Sequence, residues 1–347
     1  MLHEVLTASL NGQLNIVQDF IDCDFSDNHG NTPLIYSAIG GHLEIVQYLV
    51  EKGVDINLQN DNGNSALILA AGNSHFEIVR YLVEKGADIN LQNNYGYSAL
   101  MFAAGNSHFE IIKYLVEKGA NINLQNKYGN NVLILAARIE HLEIVQYLVE
   151  KGADINLQND DGYSALMFAV GSGHLKIVHY LVEKGANINL QNNDGYSALM
   201  FAVGRGHLKI VQYLVEKGAN INLQNNDGYS ALMSAARSDH LEIVQYLVEK
   251  GADINLQNKY GNTARMLATS FGKLEVVKYL PYQNVVNYAG FSDLMLAARE
   301  HRLEVVRYLL ESGNYAEEEI RKVSRATRGS TIPEIEYLLG DYLNYSI

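Results

Sequence analysis

A period of 33 residues runs through most of the chain and limits its fold more than any other feature. One glycine recurs eight times at this spacing, at Gly30, Gly63, Gly96, Gly129, Gly162, Gly195, Gly228 and Gly261. A histidine follows it by twelve residues in seven repeats, at His42, His75, His108, His141, His174, His207 and His240. A period of this length predicts a stack of small repeats, each of which contacts only its neighbours.

Each repeat contains two short helical patterns separated by a turn. In the repeat 96–128, apolar residues at helical spacing predict a first helix after Ser98 and a second helix over Phe109–Glu117. Ser98 is placed to cap the first helix, and Gly119 follows the second helix where a left-handed residue is favoured. Residues 120–129 are rich in asparagine and favour turns. The repeat therefore predicts an all-α fold.

Three stretches carry a family resemblance. They are G-N-T-P-L-I at Gly30–Ile35, G-H-L-E-I-V at Gly41–Val46 and L-V-E-K-G-A-D-I-N at Leu82–Asn90. These motifs resemble the ankyrin repeat, and the resemblance extends over about 30–261. It implies an ankyrin-repeat solenoid of helix-turn-helix repeats joined by hairpin-like loops. Ile35 and its equivalents replace the usual histidine of T-P-L-H, so apolar packing is expected in place of a hydroxyl-to-imidazole hydrogen bond.

The repeats divide the chain into four predicted segments of one continuous solenoid. Residues 1–29 form an atypical, capping first repeat, and residues 30–260 form seven regular repeats. Residues 261–313 form two irregular repeats, and residues 314–347 form C-terminal capping helices. Such terminal caps are expected because the outer face of a stack must tolerate water.

The first irregular repeat is predicted to be a weak point of the stack. Pro281 lies inside its second helix and is expected to end that helix about a turn early. Arg265 replaces the leucine that other repeats have at an apolar site. Two further helices are predicted after these repeats, at 316–326 and 333–343.

Composition narrows the classes of partner and the location. The 26 basic and 39 acidic side chains give a net charge of −13, which disfavours nucleic acid and anionic membranes as partners. No apolar run approaches the length of a membrane span, so no membrane partner is expected. Cys23 is the only cysteine, which excludes an internal disulfide and favours a reducing compartment. We expect a cytoplasmic protein, or one in a host cytosol if it is an exported effector.

Catalysis and cofactor binding are not expected. Cys23 has no identifiable base partner, and the chain has no glycine-rich phosphate loop. Nothing outside the repeats is long enough to form a catalytic domain. The sequence therefore predicts a protein that is not an enzyme and has no catalytic residue and no cofactor.

The repeated histidines raise the question of a metal site. Stacked helices lie roughly 8–10 Å apart, whereas a zinc ligand lies about 2 Å from the metal, so histidines of neighbouring repeats cannot share an ion. Each imidazole is predicted to tie the turn between the two helices of its own repeat. The loop 156–162 is similar to a calcium loop, but Phe168 stands where that loop needs a glutamate. No metal site is predicted.

The 23 tyrosines are of two kinds. Nine occupy one position of the second helix and are predicted to form an outer structural row with phenol oxygens in water: Tyr48, Tyr81, Tyr114, Tyr147, Tyr180, Tyr213, Tyr246, Tyr279 and Tyr308. Others vary between repeats. The residue after the repeat glycine is Tyr97, Tyr163, Tyr196 or Tyr229 in four repeats and asparagine in others, and the residue before it is Tyr95, Tyr128 or Tyr260 in three.

The residue three before the repeat glycine is the same in seven successive repeats, in contrast to these tyrosines. It is an asparagine at Asn60, Asn93, Asn126, Asn159, Asn192, Asn225 and Asn258, where the ankyrin family often has aspartate. Aspartates stacked about 10 Å apart would repel one another. Asparagine is predicted to keep the turn chemistry of this position without that repulsion.

The positions that vary predict where a partner binds. In ankyrin proteins the turn tips and first-helix ends form the concave face that contacts partners, and here those helix ends include Arg138, Arg205 and Arg237. Tyrosine and arginine beside small residues are typical of recognition surfaces. The predicted partner-binding residues are Tyr95, Tyr97, Tyr128, Arg138, Tyr163, Tyr196, Arg205, Tyr229, Arg237 and Tyr260.

Two functions remain open at this point. The first is a non-catalytic scaffold that binds a protein partner, of unknown identity, as a monomer. The alternative is a structural spacer or spring without a dedicated ligand on its concave face, in which case the variation at the tips is drift on solvated turns.

Overall fold

The computed structural model describes residues 2–19, 25–327 and 333–345. Within these residues it contains 22 short helices, and its β-type pairings are isolated bridges such as the one between Gln59 and Ser65. The chain divides into two compact blocks, Met1–Asn187 and Ile188–Ile347. Cys23 lies outside the described residues.

The N-terminal block is a series of helix pairs. Odd-numbered helices are the first helices of the repeats, and even-numbered helices are the second. They are α1 (Leu2–Asn11), α2 (Leu14–Gln18), α3 (Pro33–Gly40), α4 (Leu43–Glu51), α5 (Ala66–Gly72), α6 (Phe76–Glu84), α7 (Ala99–Gly105), α8 (Phe109–Glu117), α9 (Val132–Ala137), α10 (Leu142–Glu150), α11 (Ala165–Gly171) and α12 (Leu175–Glu183).

The C-terminal block continues the same alternation and ends with two longer helices. Its helices are α13 (Ala198–Gly204), α14 (Leu208–Glu216), α15 (Ala231–Arg237), α16 (Leu241–Glu249), α17 (Ala264–Ser270), α18 (Leu274–Tyr279), α19 (Asp293–Arg299), α20 (Leu303–Glu311), α21 (Glu317–Ala326) and α22 (Pro333–Tyr345). The last two confirm the helices predicted at 316–326 and 333–343. Their role as a cap remains a prediction.

The predicted start of each first helix is confirmed. Ser65 has an extended backbone, and its hydroxyl accepts a hydrogen bond from the backbone N–H of Ile68, which satisfies a donor that the helix leaves free. The other seven predicted caps make the equivalent bond: Thr32, Ser98, Asn131, Ser164, Ser197, Ser230 and Thr263.

The repeat glycine allows one turn to approach the next. Gly63 has a φ of +76°, and a Cβ on it would lie 2.4 Å from the backbone nitrogen of Asn94 in the following repeat. A side chain at this position would therefore clash with the backbone as well as strain its own. The period of the glycine thus reflects the close contact between successive turns.

The core lies between the first and second helices. In one repeat Leu67 and Ile68 of α5 are buried against neighbouring helices, as are Ile78, Val79 and Leu82 of α6. Ile68 occupies the position of the histidine of T-P-L-H and is 1% exposed, which confirms that apolar packing replaces that histidine.

The repeated histidines connect neighbouring repeats, which corrects the prediction that they tie the turn of their own repeat. Nε2 of His75 lies 3.0 Å from the carbonyl oxygen of Ile39, and Nε2 of His108 lies 3.0 Å from that of Gly72. Each acceptor is near the end of the first helix of the preceding repeat. The imidazole thereby satisfies a carbonyl that the helix end leaves without a partner.

The outer tyrosine row also connects repeats, because phenol oxygens that the sequence predicts only to lie in water donate hydrogen bonds to the preceding repeat. The hydroxyl of Tyr114 donates to the carbonyl of Arg80 at 3.3 Å, and that of Tyr147 donates to the carbonyl of Lys113 at 3.3 Å. Burial raises the pKa of both phenols. Lys118 lies over the Tyr114 ring at 5.6 Å, so the aromatic face is covered as well.

Pro281 shortens the second helix of the first irregular repeat, as predicted. Helix α18 has six residues and ends at Tyr279, whereas the equivalent helix α16 has nine. The early end leaves carbonyl groups that a longer helix would have bonded.

Arg265 is not the packing flaw that the sequence indicated. Its side chain is 5% exposed and donates hydrogen bonds to the carbonyls of Val277 and Leu280, at the shortened end of α18. It also forms an ion pair with Asp293 of α19 at 2.9 Å, and Tyr315 donates its hydroxyl proton to the same carboxylate. The arginine therefore supplies donors where Pro281 interrupts the helix, and it connects two irregular repeats.

Candidate functional site

The tyrosines that precede the repeat glycine lie at the tips of the turns and face solvent. Tyr95, Tyr128 and Tyr260 are 52%, 54% and 62% exposed. Their backbone N–H groups donate to the asparagine two residues earlier, for example from Tyr95 to Asn93 at 3.0 Å. The turn is thus fixed while the ring remains accessible.

The tyrosines that follow the glycine are half-buried, and three of them pack on a phenylalanine of their own repeat. The ring centroids of Tyr97 and Phe102 are 5.7 Å apart with an edge-on geometry. The pairs Tyr163–Phe168 and Tyr196–Phe201 have centroid distances of 5.3 and 5.7 Å. Tyr229 differs, because Ser234 occupies the equivalent position of its repeat.

The three predicted arginines lie at the ends of first helices and are exposed. Arg138 lies over the ring of Phe168 at 5.7 Å, and Arg237 lies over the ring of Phe271 at 4.8 Å. Cation–π contacts of this kind hold a guanidinium in place while it keeps its donors free. Within the described part of the chain, neither Arg205 nor Arg237 has a carboxylate partner.

Two grooves bring many of these residues together. The N-terminal groove has a volume of about 360 Å³, and its lining includes Tyr95, Tyr97, Phe102 and Leu135. The C-terminal groove has a volume of about 520 Å³ and is lined by five of the predicted binding residues, Tyr196, Arg205, Tyr229, Arg237 and Tyr260, with Met200, Phe201, Gly204, Asp227, Ser234 and Ser238.

The remaining predicted residues are placed differently. Tyr163 and Arg138 both contact the ring of Phe168 on the N-terminal block. Tyr128 is exposed at its turn tip and lines neither groove.

The constant asparagines support the turns in two ways. Oδ1 of Asn93 accepts hydrogen bonds from the backbone N–H groups of Tyr95 and Tyr97 at 3.0 and 2.9 Å. Nδ2 of Asn93 donates at 2.9 Å to Oδ1 of Asn64, which follows the glycine of the preceding repeat. The first bond pair confirms the predicted turn chemistry, and the second was not foreseen from the sequence.

This second bond recurs wherever an asparagine follows the preceding glycine. Asn60 donates to Asn31 at 2.8 Å, and Asn159 donates to Asn130 at 3.0 Å. In the first of these repeats, Asp27 stands where the later repeats have the donor asparagine. Burial alone would raise the pKa of Asp27. Hydrogen bonds from Tyr36 and from residues 29 and 31 instead hold this pKa well below its usual range.

The bond is missing where tyrosine takes the place of that asparagine. Nδ2 of Asn126 is buried without a hydrogen-bond partner, and the residue at the acceptor position 29 residues earlier is Tyr97. The same holds in the C-terminal block for Asn225 behind Tyr196 and for Asn258 behind Tyr229. The asparagines concerned are only 2–6% exposed, so water reaches them poorly.

Sequence reasoning missed the residues that lie under the tyrosines. Phe102, Phe168 and Phe201 are fourth in the first helix, and Ser234 takes this place in the repeat of Tyr229. The signal was present, because this position changes from repeat to repeat just as the tips do. It was hidden because a phenylalanine in a helix is more often a core residue than part of a surface.

Two features are absent from the described residues. No three His, Cys, Asp or Glu side chains there are grouped so that they could hold a metal ion. No described helix combines the length and apolar character that crossing a membrane requires.

Comparison with known families identifies the class of protein. A model of ankyrin repeats, built as three copies, matches residues 5–93, 52–126, 100–192, 166–258 and 250–320. The chain belongs to the ankyrin-repeat family, and its fold is an all-α ankyrin-repeat solenoid. Ankyrin repeats serve generally as protein–protein interaction modules, and the family is typically non-enzymatic. A search of curated proteins found no matching relative.

Proposed function

We propose that this protein is a non-catalytic scaffold that binds a protein partner through the turn tips and first-helix ends of its repeats, which correspond to the concave face of the family. The contact residues would be the ten tyrosines and arginines named above. The scaffold would act as a monomer in the cytoplasm, or in a host cytosol if the protein is exported.

The observation that carries this proposal is the loss of an asparagine bond at three tyrosines. A buried N–H group without an acceptor costs about 1–3 kcal/mol. Asparagine at positions 97, 196 and 229 would supply the acceptor, as Asn64 does for Asn93 at 2.9 Å. These three positions therefore hold tyrosine although asparagine, which other repeats have there, would supply the missing hydrogen-bond acceptor.

Packing offsets this cost unequally among the three tyrosines. A packed aromatic pair contributes about 0.5–1.5 kcal/mol, which Tyr97 obtains from Phe102 in an edge-on pair and Tyr196 from Phe201 in a tilted one. Tyr229 has Ser234 in place of that phenylalanine. Its position is the hardest to explain by stability, and it lines the larger groove. Local conflicts between sequence and fold are typical of functional sites.

The chemistry of these residues suits protein recognition. Tyrosine presents a large amphipathic surface with few rotatable bonds, and arginine adds directional donors. Both are frequent where truncation weakens binding most. A spacer would need the contacts between repeats but not tyrosines that leave buried amides unpaired.

The proposal is tested by capture with a matched pair of baits. The first bait is the full chain, and the second carries Tyr97→Asn, Tyr196→Asn and Tyr229→Asn together. Proteins retained from an extract of the source cells are quantified by mass spectrometry. We expect at least one protein to be retained by the full chain and depleted about ten-fold or more on the triple variant.

A control bait separates binding from general damage. It carries Tyr114→Phe, Tyr180→Phe and Tyr246→Phe, which remove hydroxyl groups of the outer row but leave the turn tips intact. Its capture should match that of the full chain. The same proteins on all three baits would exclude the tips as the binding surface, and retention of no protein would favour the spacer.

A further inference from the structure

The C-terminal groove differs from the rest of the array in its floor and its charge. Its floor is open because Ser234 replaces the phenylalanine that Tyr196 has beneath it in Phe201. A hydroxymethyl group in place of a benzyl group leaves room for a ligand side chain or backbone. Tyr196, Tyr229 and Tyr260 all line the resulting space.

Two arginines give this groove a positive character although the chain as a whole is acidic. The chain has a net charge of −13, yet Arg205 and Arg237 both line the groove and form no ion pair with a described residue. Arg237 is held over Phe271 at 4.8 Å, so its guanidinium is ordered before a ligand arrives. Of the described lining residues, Asp227 alone carries a carboxylate.

Unpaired, oriented guanidinium groups select a particular ligand chemistry. Arginine binds carboxylates through two parallel N–H···O bonds, and such charge-assisted bonds are stronger than neutral ones. Tyrosines around them offer faces for the backbone and apolar side chains of a peptide. An acidic segment would therefore gain both charge pairing and ring contacts in this groove.

The separation of the arginines sets the spacing of the acidic residues. Arg205 follows α13 and Arg237 ends α15, so they stand on first helices of successive repeats. Packed helices lie about 8–10 Å apart, and an extended peptide advances about 3.3 Å per residue. Carboxylates roughly three residues apart would reach both arginines.

We propose that the C-terminal groove binds an extended segment of the partner protein that carries two carboxylates about three residues apart, a proposal that rests on the protein-binding function above. Arg205 and Arg237 receive the carboxylates, and Tyr196, Tyr229 and Tyr260 contact the peptide between and beside them. Asp227 disfavours a carboxylate at the turn-tip side and so helps to orient the segment.

The experiment selects random peptides displayed on phage against the full chain. We expect the selected sequences to be enriched in pairs of Asp or Glu three positions apart. A synthetic peptide of the selected sequence should bind the Arg205→Gln, Arg237→Gln variant at least about ten-fold more weakly, and binding to the full chain should weaken as salt is raised.

Three further variants sharpen the result. Arg299→Gln is the matched control, because Arg299 stands at the position of Arg237 in another repeat, lies over the ring of Phe291 at 5.1 Å and does not line this groove, so this variant should leave peptide affinity unchanged. Ser234→Phe, which installs the residue of the preceding repeat, should fill the floor and abolish binding. Asp227→Asn should strengthen binding by up to about five-fold.

The outcomes separate this inference from the function on which it rests. Selected peptides without acidic enrichment, bound equally by the Arg205→Gln, Arg237→Gln variant but lost with Tyr196→Asn and Tyr229→Asn, would overturn the inference and leave the protein-binding function standing. Peptides that bind all of these variants equally would overturn the inference as well. The function itself then depends on the capture experiment.

Discussion

The constant asparagines allow a quantitative test of how much unfolding free energy the chain loses by having tyrosine at position 97. Tyr97→Asn should supply an acceptor to Nδ2 of Asn126, which is buried without a partner. Tyr97→Ala removes the same ring and supplies no acceptor. The lost packing against Phe102 cancels between the two variants, so their difference measures the new hydrogen bond. Because a buried unpaired N–H costs about 1–3 kcal/mol, Tyr97→Asn should be the more stable variant by that amount.

The reverse change measures the cost of an unpaired amide in a repeat where the asparagine pair is intact. Asn64→Ala removes the oxygen that lies 2.9 Å from Nδ2 of Asn93, an asparagine that is 8% exposed. Asn64→Ala should lower the unfolding free energy by about 1–3 kcal/mol, because it leaves the buried amide of Asn93 without an acceptor, as Tyr97 leaves that of Asn126.

Urea unfolding followed by far-ultraviolet circular dichroism measures all three variants. Stability in a repeat array is a sum of repeat and interface terms, so the curves should be fitted with a nearest-neighbour scheme. If Tyr97→Asn and Tyr97→Ala are equally stable, and Asn64→Ala keeps the unfolding free energy of the full chain, then the unpaired asparagine amide carries no such cost and this explanation is refuted.

Three other predictions concern the rest of the fold. Arg265→Leu should cost about 3–5 kcal/mol, because it strips a buried carboxylate of its partner; in a double-mutant cycle with Asp293→Ala, the double variant should cost less than the sum by about 1–3 kcal/mol. Burial and the Asp293 carboxylate raise the pKa of Tyr315, so its contribution is complete below about pH 10 and lost as pH rises further; Tyr315→Phe should destabilise at neutral pH, and urea titrations should show this deficit shrinking above about pH 10. Ser74 and Ser107 have φ of +65° and +64°, so Ser74→Gly and Ser107→Gly should each raise the unfolding free energy by about 1 kcal/mol, measured by thermal or urea unfolding; a loss would contradict the assigned strain.

The sequence predicts the fold well because the same local signals recur in each repeat. The N-cap at Ser98, the second helix at Phe109–Glu117 and the early end of α18 before Pro281 are all local signals, and all are present. Local patterns are enough where a helix start, a helix end or an apolar stripe is at issue.

Contacts between repeats were harder to foresee. The carbonyl acceptor of His75 is 36 residues away, and that of the Tyr114 hydroxyl is 34 residues away. Only a stacked backbone brings these groups together, so the pattern of one repeat predicts a local role for the histidine and a solvent-facing hydroxyl for the outer tyrosine. Arg265 is the same case, because its partner Asp293 lies in the next repeat.

The candidate site was predicted in part for a related reason. Variation among repeats singled out Tyr196, Tyr229 and Arg237, and the structure places all three around one groove. It did not single out Ser234, whose importance depends on which ring lies above it. Nor did it show that Asn258 loses its partner behind Tyr229.

Hydrogen exchange of the full chain with and without its captured partner tests the location of the binding surface most directly. We predict that the partner slows exchange at the tips and first helices of residues 93–106 and 225–238, and leaves the second helices Phe109–Glu117 and Leu241–Glu249 unchanged. Slowed exchange confined to those second helices would place the partner on the outer tyrosine row and contradict the account.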